Sequence, residues 1–436
     1  MALSLPSNPN LERFRRDARR LQGAVTSRLP EALALVAEHH PEGPPVAGAP
    51  FALADAQLVV ARSYGFASWP RLREYLRRSE RLRRDPVALD PLGDSATDPM
   101  TDPMTDPALL VASLACLLYS DRDEPARWAR AASLLAQRPG LTALEVGVAA
   151  VSGDVEALGR HVRADPGAAT RETGPFRWPP LLYVVYSRMP QSAAPACTRL
   201  LLDAGADADS GYLWQGLPTP FTALTGCFGG GEMGPGRQPR HPAWRELALL
   251  LLRGGADPND RQTLYNRMFT RDDSHLELLL AHGLGHPSQE VWAGRTGVDA
   301  EPVDEMMNRQ LHWAHDHGFD DRVALLGRHG FVLSPVASTR PAPGIHRAAT
   351  AAAVRAAVAD CAHVDATHHG RTALHQAALT GDLEVIAALL EAGADHTRVD
   401  REHGTTPLEW ARWARNEAAA DLLSDPPHYG GAHDDA

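Results

Sequence analysis

Apolar residues along this chain recur at helical spacing and almost never in strict alternation. LERFRRDARRLQGAV places Leu11, Phe14, Ala18 and Leu21 on one face of a helix. PEALALVAEHH opens on a proline suited to a first helical turn. LADAQLVVARSYG offers Asp55 as a cap and Gly65 as a stop, and FASWPRLREYLRR follows Ser68 with Trp69, Leu72, Tyr75 and Leu76. Residues 1–84 are therefore expected to hold four short helices. From about residue 108 the pattern changes to pairs of shorter helices. PALLVASLACLLYS and PARWARAASLLAQ form a first pair that would cap the later ones. Thereafter LLDAGAD (Leu201–Asp207), LLRGGAD (Leu251–Asp257) and LLEAGAD (Leu389–Asp395) close successive segments, with looser copies LLAHGLG and LLGRHGF.

The clearest whole segment is HGRTALHQAALTGDLEVIAALLEAGADHTRVD, His369 to Asp400. Thr372 can cap a first helix, and Leu374, Ala377 and Ala378 allow close helix approach. Gly381 permits the turn, and Val385, Ile386, Leu389 and Leu390 form the apolar stripe of a second helix. Gly393 can end that helix in the left-handed conformation, and Asp395 opens the next turn. This segment resembles the ankyrin repeat. The resemblance implies an all-α, ankyrin-type helical solenoid with short hairpins, preceded by the small helical domain. About eight units are expected, starting near Leu141, Pro175, Leu217, Arg261, Val303, Pro341, His369 and His403. TDPMTDPMTDP, Thr97–Pro107, falls in a low-complexity linker over 85–107 where proline prevents helix. SDPPHYGGAHDDA is a polar tail suited to closing the stack.

Composition and charge narrow the function classes. All 43 basic residues are arginine, and the net charge is −11, which argues against a chain built mainly to bind nucleic acid. The head alone carries +6 over residues 1–84. Its arginine face could meet an acidic partner or RNA, or simply be solvated. Cys116, Cys197, Cys227 and Cys361 lie far apart, without metal-ligand or redox spacing, as expected of structural thiols in a reducing cytoplasm. The N-terminus lacks the pattern of a secretion signal, and no segment has the ~18 apolar residues that span a bilayer. No cofactor motif is present. GCFGGGEMGPG lacks the Gly-Lys-Ser/Thr ending of a phosphate loop, and no strand precedes it.

One unit is opened. After TALTGCFGG the short turn expected between helices is replaced by thirteen residues, Gly231–Ala243. Together with SYGFASWPRL, LLYVVYSR, QPRHP and DRQTLYNRMF, this stretch resembles a group of bacterial, often actinobacterial, ankyrin-repeat proteins. That resemblance implies a fold and an origin, not a reaction. Aligned on their Gly-Ala-Asp ends, the units place Tyr183 and Tyr186, then Gly226 and Gly229, then Asn266 and Phe269, on the concave groove. Trp313 and Asp316, with His317 beside them, and finally Trp410 and Trp413 continue the series. The two glycines would leave a notch. The insertion would fold over it and bring Glu232, Arg237, Gln238, Arg240 and His241 close, with Arg188 able to hold an anion. A tolerated bulge is the plainer alternative.

These residues support two main readings. In the first the chain is a scaffold that binds a protein or peptide through its concave groove, using scattered tyrosine and tryptophan. In the second the notch is a small-molecule site of an enzyme or sensor, with Glu232, His241 and Tyr186 as acid–base groups. The histidines of HWAHDH, His312 to His317, have metal-like spacing, but His312, His346 and His375 occupy a repeat position that usually bonds backbone. Ser187 has no evident paired base.

Overall fold

The computed structural model describes residues 5–90, 106–191, 193–298, 301–333, 344–360, 362–368 and 370–426. Most of the TDPM tract, Cys361, His369 and the tail beyond residue 426 lie outside these residues. The described chain is all-α apart from short strands, and it divides into two compact units. No helix among the described residues is long and apolar enough to cross a membrane.

The first unit contains α1 (Leu11–Thr26), α2 (Pro30–His39), α3 (Leu53–Ser63) and α4 (Trp69–Leu82). Asn10 caps α1 by accepting from the Arg13 N–H at 2.9 Å, and Ser68 caps α4. Asp55 acts from inside α3, accepting from the Ala52 N–H at 3.1 Å. The buried faces supply Phe14, Ala18, Val36, Val59, Leu72 and Tyr75.

This unit is not a contiguous stretch of chain. Residues 211–221 and 289–298 belong to it as well. The Gly211–Trp214 strand pairs in parallel with Arg83–Arg84. The Tyr75 hydroxyl donates to the Gly216 carbonyl at 2.7 Å, and the Asn8 N–H donates to Gln215 at 2.8 Å. Arg78 donates to the Gly294 carbonyl at 2.9 Å. Leu213 is fully buried among the helix side chains, with Leu217, Trp292 and Val298 packed at its edge. The pattern assigned these two segments to the solenoid. Their apolar residues find a core here that a two-stranded hairpin cannot provide for itself.

The second unit is the solenoid. A front pair, Pro107–Ala115 and Pro125–Gln137, precedes a succession of helix pairs. First helices stack on first helices: Val146–Ser152 on Pro180–Tyr186, that on Ala223–Phe228, and that on Arg261–Arg267. Second helices form a parallel row of Val155–Ala164, Ala194–Asp203 and Trp244–Arg253. At the far end Ala373–Thr380 stacks on Pro407–Trp413, backed by Ala351–Ala359, Leu383–Glu391 and Glu417–Ser424.

The repeat residues act as their chemistry predicts. Thr222, Thr372 and Thr406 cap first helices. Gly381 ends one in the left-handed conformation. The aspartates of the Gly-Ala-Asp ends fold back on the backbone two residues on, Asp207 to Asp209, Asp257 to Asn259 and Asp395 to Thr397, at 2.9–3.0 Å. His375 bonds Thr372 at 2.7 Å and the Thr405 carbonyl at 3.0 Å, and His346 reaches the Ala366 carbonyl at 2.8 Å.

Candidate functional site

The glycine notch is filled by its neighbour. A Cβ on Gly226 would lie 2.6 Å from the Tyr186 ring and 2.9 Å from Val185 Cγ2. Glycine is required there because the Pro180–Tyr186 helix packs directly against the backbone. Tyr183 and Tyr186 are fully buried, not exposed on the groove. The Tyr186 hydroxyl donates to the Thr222 carbonyl at 2.9 Å, and the Tyr183 hydroxyl donates to Thr173 at 2.9 Å. Trp178 packs against both rings, and burial raises the Tyr183 pKa well above the phenol range. These tyrosines are core residues of the stack.

The insertion is stitched down rather than draped over a cavity. Gly229 has φ +55°, and a Cβ there would meet the Pro239 carbonyl at 2.3 Å. The Gly230 N–H donates to Gln238 at 2.8 Å, and the His241 N–H donates to Cys227 at 3.0 Å. Arg188 is buried, and its guanidinium donates to the carbonyls of Gly226, Pro239, Val185 and Ser187 at 2.7–3.1 Å. The bonds to Gly226 and Pro239 tie the third unit and the loop to the helix, so this buried guanidinium is spent on backbone carbonyls.

His241 is likewise structural. Its Nε2 meets Gln191 Oε1 at 2.5 Å, and its Nδ1 accepts from the Ala243 N–H at 3.0 Å. Burial and then the nearby Arg188 charge push its pKa from 6.5 down to about 3, so the ring is neutral. Gln238 is buried beneath Gly231. Asn266 is buried and accepts from Gln262 at 2.8 Å. Glu232 instead points to the exposed rim, where the Tyr265 hydroxyl donates to it. Tyr186, His241 and Glu232 are thus bound to three different partners, and no acid–base group forms from them.

Beyond Glu232 the insertion crosses to the last units. A short helix, Gly234–Arg237, lies against Leu379 and Ala414. Arg237 donates to the carbonyls of Trp413 and Asp121. Beside it Arg415 pairs with Glu124 at 2.9 Å. The loop joins the connection after the front helix to the end of the last first-helix, which explains its crowding of glycine. A Cβ on Gly236 would sit 2.5 Å from the Ala414 carbonyl.

Along this strut opens a recess of about 480 Å³. Phe269, Trp313, His317, Trp410 and Trp413 line it, with Glu232 contributed by the insertion. The repeat pattern pointed to the first five as groove residues, and the insertion to the sixth. Phe269 meets Trp313 edge-on at 5.4 Å, and His317 stacks on the Trp313 ring at 3.7 Å. Trp410 is held by donating its indole N–H to Asp400 at 3.0 Å. Burial opposes the Asp400 charge, but bonds from Thr405, His403 and Trp410 outweigh it and hold the carboxyl well below its usual range. Trp413 leaves 45 % of its surface exposed.

The repeat pattern did not point to Arg371, Glu402 or Glu409. Arg371 lies 4.9 Å over the Trp410 ring and pairs with Glu402 at 3.4 Å. Glu409 accepts from the Thr406 N–H at 2.7 Å, and that bond first holds its carboxyl below the usual range. Arg371 and Glu402 come from the turns between units, which a comparison of first-helix positions leaves out. Tyr183, Tyr186, Arg188, Gly226, Gly229, Gln238, Asn266 and His241 do not line this recess.

Residues 345–432 match the family model described as ankyrin repeats in three copies. No curated protein matches the chain. Among solved structures, the human ASB11 ankyrin repeat domain is 18 % identical, with 65 % of this chain and 98 % of that chain covered and a TM-score of 0.20. The ankyrin repeat domain of Bcl-3 is 20 % identical, with 64 % and 98 % covered and a TM-score of 0.19. Superpositions this loose carry no functional argument.

Proposed function

We propose that the chain is a binding scaffold that recognises a protein or peptide segment through the recess between the insertion and the last units. Ankyrin repeats occupy the segment that supplies Arg371, Gln376, Trp410 and Trp413. The observation that carries the reading is the group of tryptophans, Trp313, Trp410 and Trp413, around one concavity with Trp413 nearly half exposed. A solvated indole at the mouth of a recess gains free energy when a partner covers it, and tryptophan is enriched among residues that dominate interface energy. Trp410 and Trp313 are pre-positioned by Asp400 and His317, so little ordering is needed on binding.

The same reading places the chain in the cytoplasm, among bacterial ankyrin proteins with the SYGFASWPRL head. Its support is the quoted motifs and the buried free thiols of Cys116, Cys197 and Cys227. The test is selection of a displayed random peptide library on the full chain, followed by hydrogen exchange of the complex. Protection of amides in 313–319 and 402–413 is expected. Protection confined to 183–188 and 226–241 would transfer the site to the insertion's root and overturn the recess.

A further inference from the structure

We infer that the recess takes the cationic side chain, arginine or lysine, of a partner peptide. This rests on the recess being the binding site and adds what kind of group it accepts. Three carboxylates, Glu232, Glu402 and Glu409, line it against one arginine, Arg371. Of the three, only Glu402 is paired with that arginine. Glu232 and Glu409 are exposed, and each is oriented by a local donor, the Tyr265 hydroxyl and the Thr406 N–H. Each retains lone pairs for an incoming N–H.

Arg371 shows what the lining favours. Its guanidinium already rests over an indole face with a carboxylate beside it. Trp413 and Glu409 stand four residues apart on one helix and so share a face, repeating the pairing of indole and carboxylate. Trp413 carries no such resident cation in the structure's cation–π contacts among described residues, and it is the exposed member. A cation over that ring gains from the ring quadrupole and from the carboxylates that share the recess, in a concavity that excludes part of the solvent. An acidic segment would instead meet two carboxylates that no arginine of the lining offsets. The recess volume admits a long side chain together with neighbouring backbone.

The experiment takes peptides selected on the full chain and compares each with its arginine-to-citrulline counterpart, which keeps shape and removes charge. Binding is followed by tryptophan fluorescence. The selected sequences should be enriched in arginine or lysine, and citrulline should weaken binding about tenfold. Glu232→Gln with Glu409→Gln preserves both local hydrogen bonds and should weaken the arginine peptide several-fold and the citrulline peptide distinctly less. Trp413→Leu should weaken the arginine peptide about tenfold. Selected peptides without basic residues, or equal binding of arginine and citrulline forms, would overturn the cation inference while Trp413→Leu still reported on the recess. If Trp413→Leu also had no effect, or if no peptide were selected, the binding reading itself would fail.

Discussion

Gly226 and His241 show how a functional-looking residue can be wholly occupied by packing. An added methyl at Gly226 would press on the Tyr186 ring from 2.6 Å, in a helix contact with no room to yield. Gly226→Ala is therefore expected to lower the unfolding free energy by about 1–3 kcal/mol, read from denaturant titration. His241 adds a pH signature. Its folded pKa of about 3 lies below the 6.5 of a free imidazole. Between those values the unfolded chain takes up a proton that the folded chain does not, so this residue's contribution is intact above pH 6.5 and is lost as pH falls toward 3. His241→Gln removes that dependence. The stability gap between parent and variant, measured at fixed pH values, should be widest above pH 6.5 and narrow toward pH 3. Sequence alone shows glycine where other units have large residues, but not whether the space belongs to a ligand or to Tyr186. That distinction depends on how closely two helices approach.

The repeating elements were legible where local chemistry decides them. Threonine caps, glycine stops and Gly-Ala-Asp turns lie within one unit, and the chain pattern alone locates them. The same pattern also found Phe269, Trp313, Trp410 and Trp413, because groove positions recur with the unit. The insertion itself was legible but its docking was not, since its partners Leu379, Trp413, Ala414 and Asp121 come from other parts of the chain. Replacing 232–240 with a short turn should therefore loosen the last units. Amides in 373–424 should exchange faster, with little change in 146–186, when followed by hydrogen exchange. The head helices were legible, but their completion by 211–221 and 289–298 was not. Leu213 sits in a stretch that the repeat pattern assigns to the solenoid, yet it is fully buried among head residues. Leu213→Ala in the full chain is expected to cost the first unit about 2–5 kcal/mol, measured by its unfolding midpoint.

The described chain thus divides into two compact units, one of which is assembled from three separated segments. Charge divides along the chain as well, with +6 on residues 1–84 and −17 on the remainder. An acidic remainder suits a basic partner, through long-range attraction that salt screens. The central claim is that the recess, not the root of the insertion, is where a partner binds. The most direct test is the affinity of one selected peptide for the parent, for Trp413→Leu and for Gly226→Ala, at a temperature where all three are folded. The account predicts a loss of about tenfold for Trp413→Leu and an unchanged affinity for Gly226→Ala. Unchanged binding by Trp413→Leu together with loss in Gly226→Ala would contradict it.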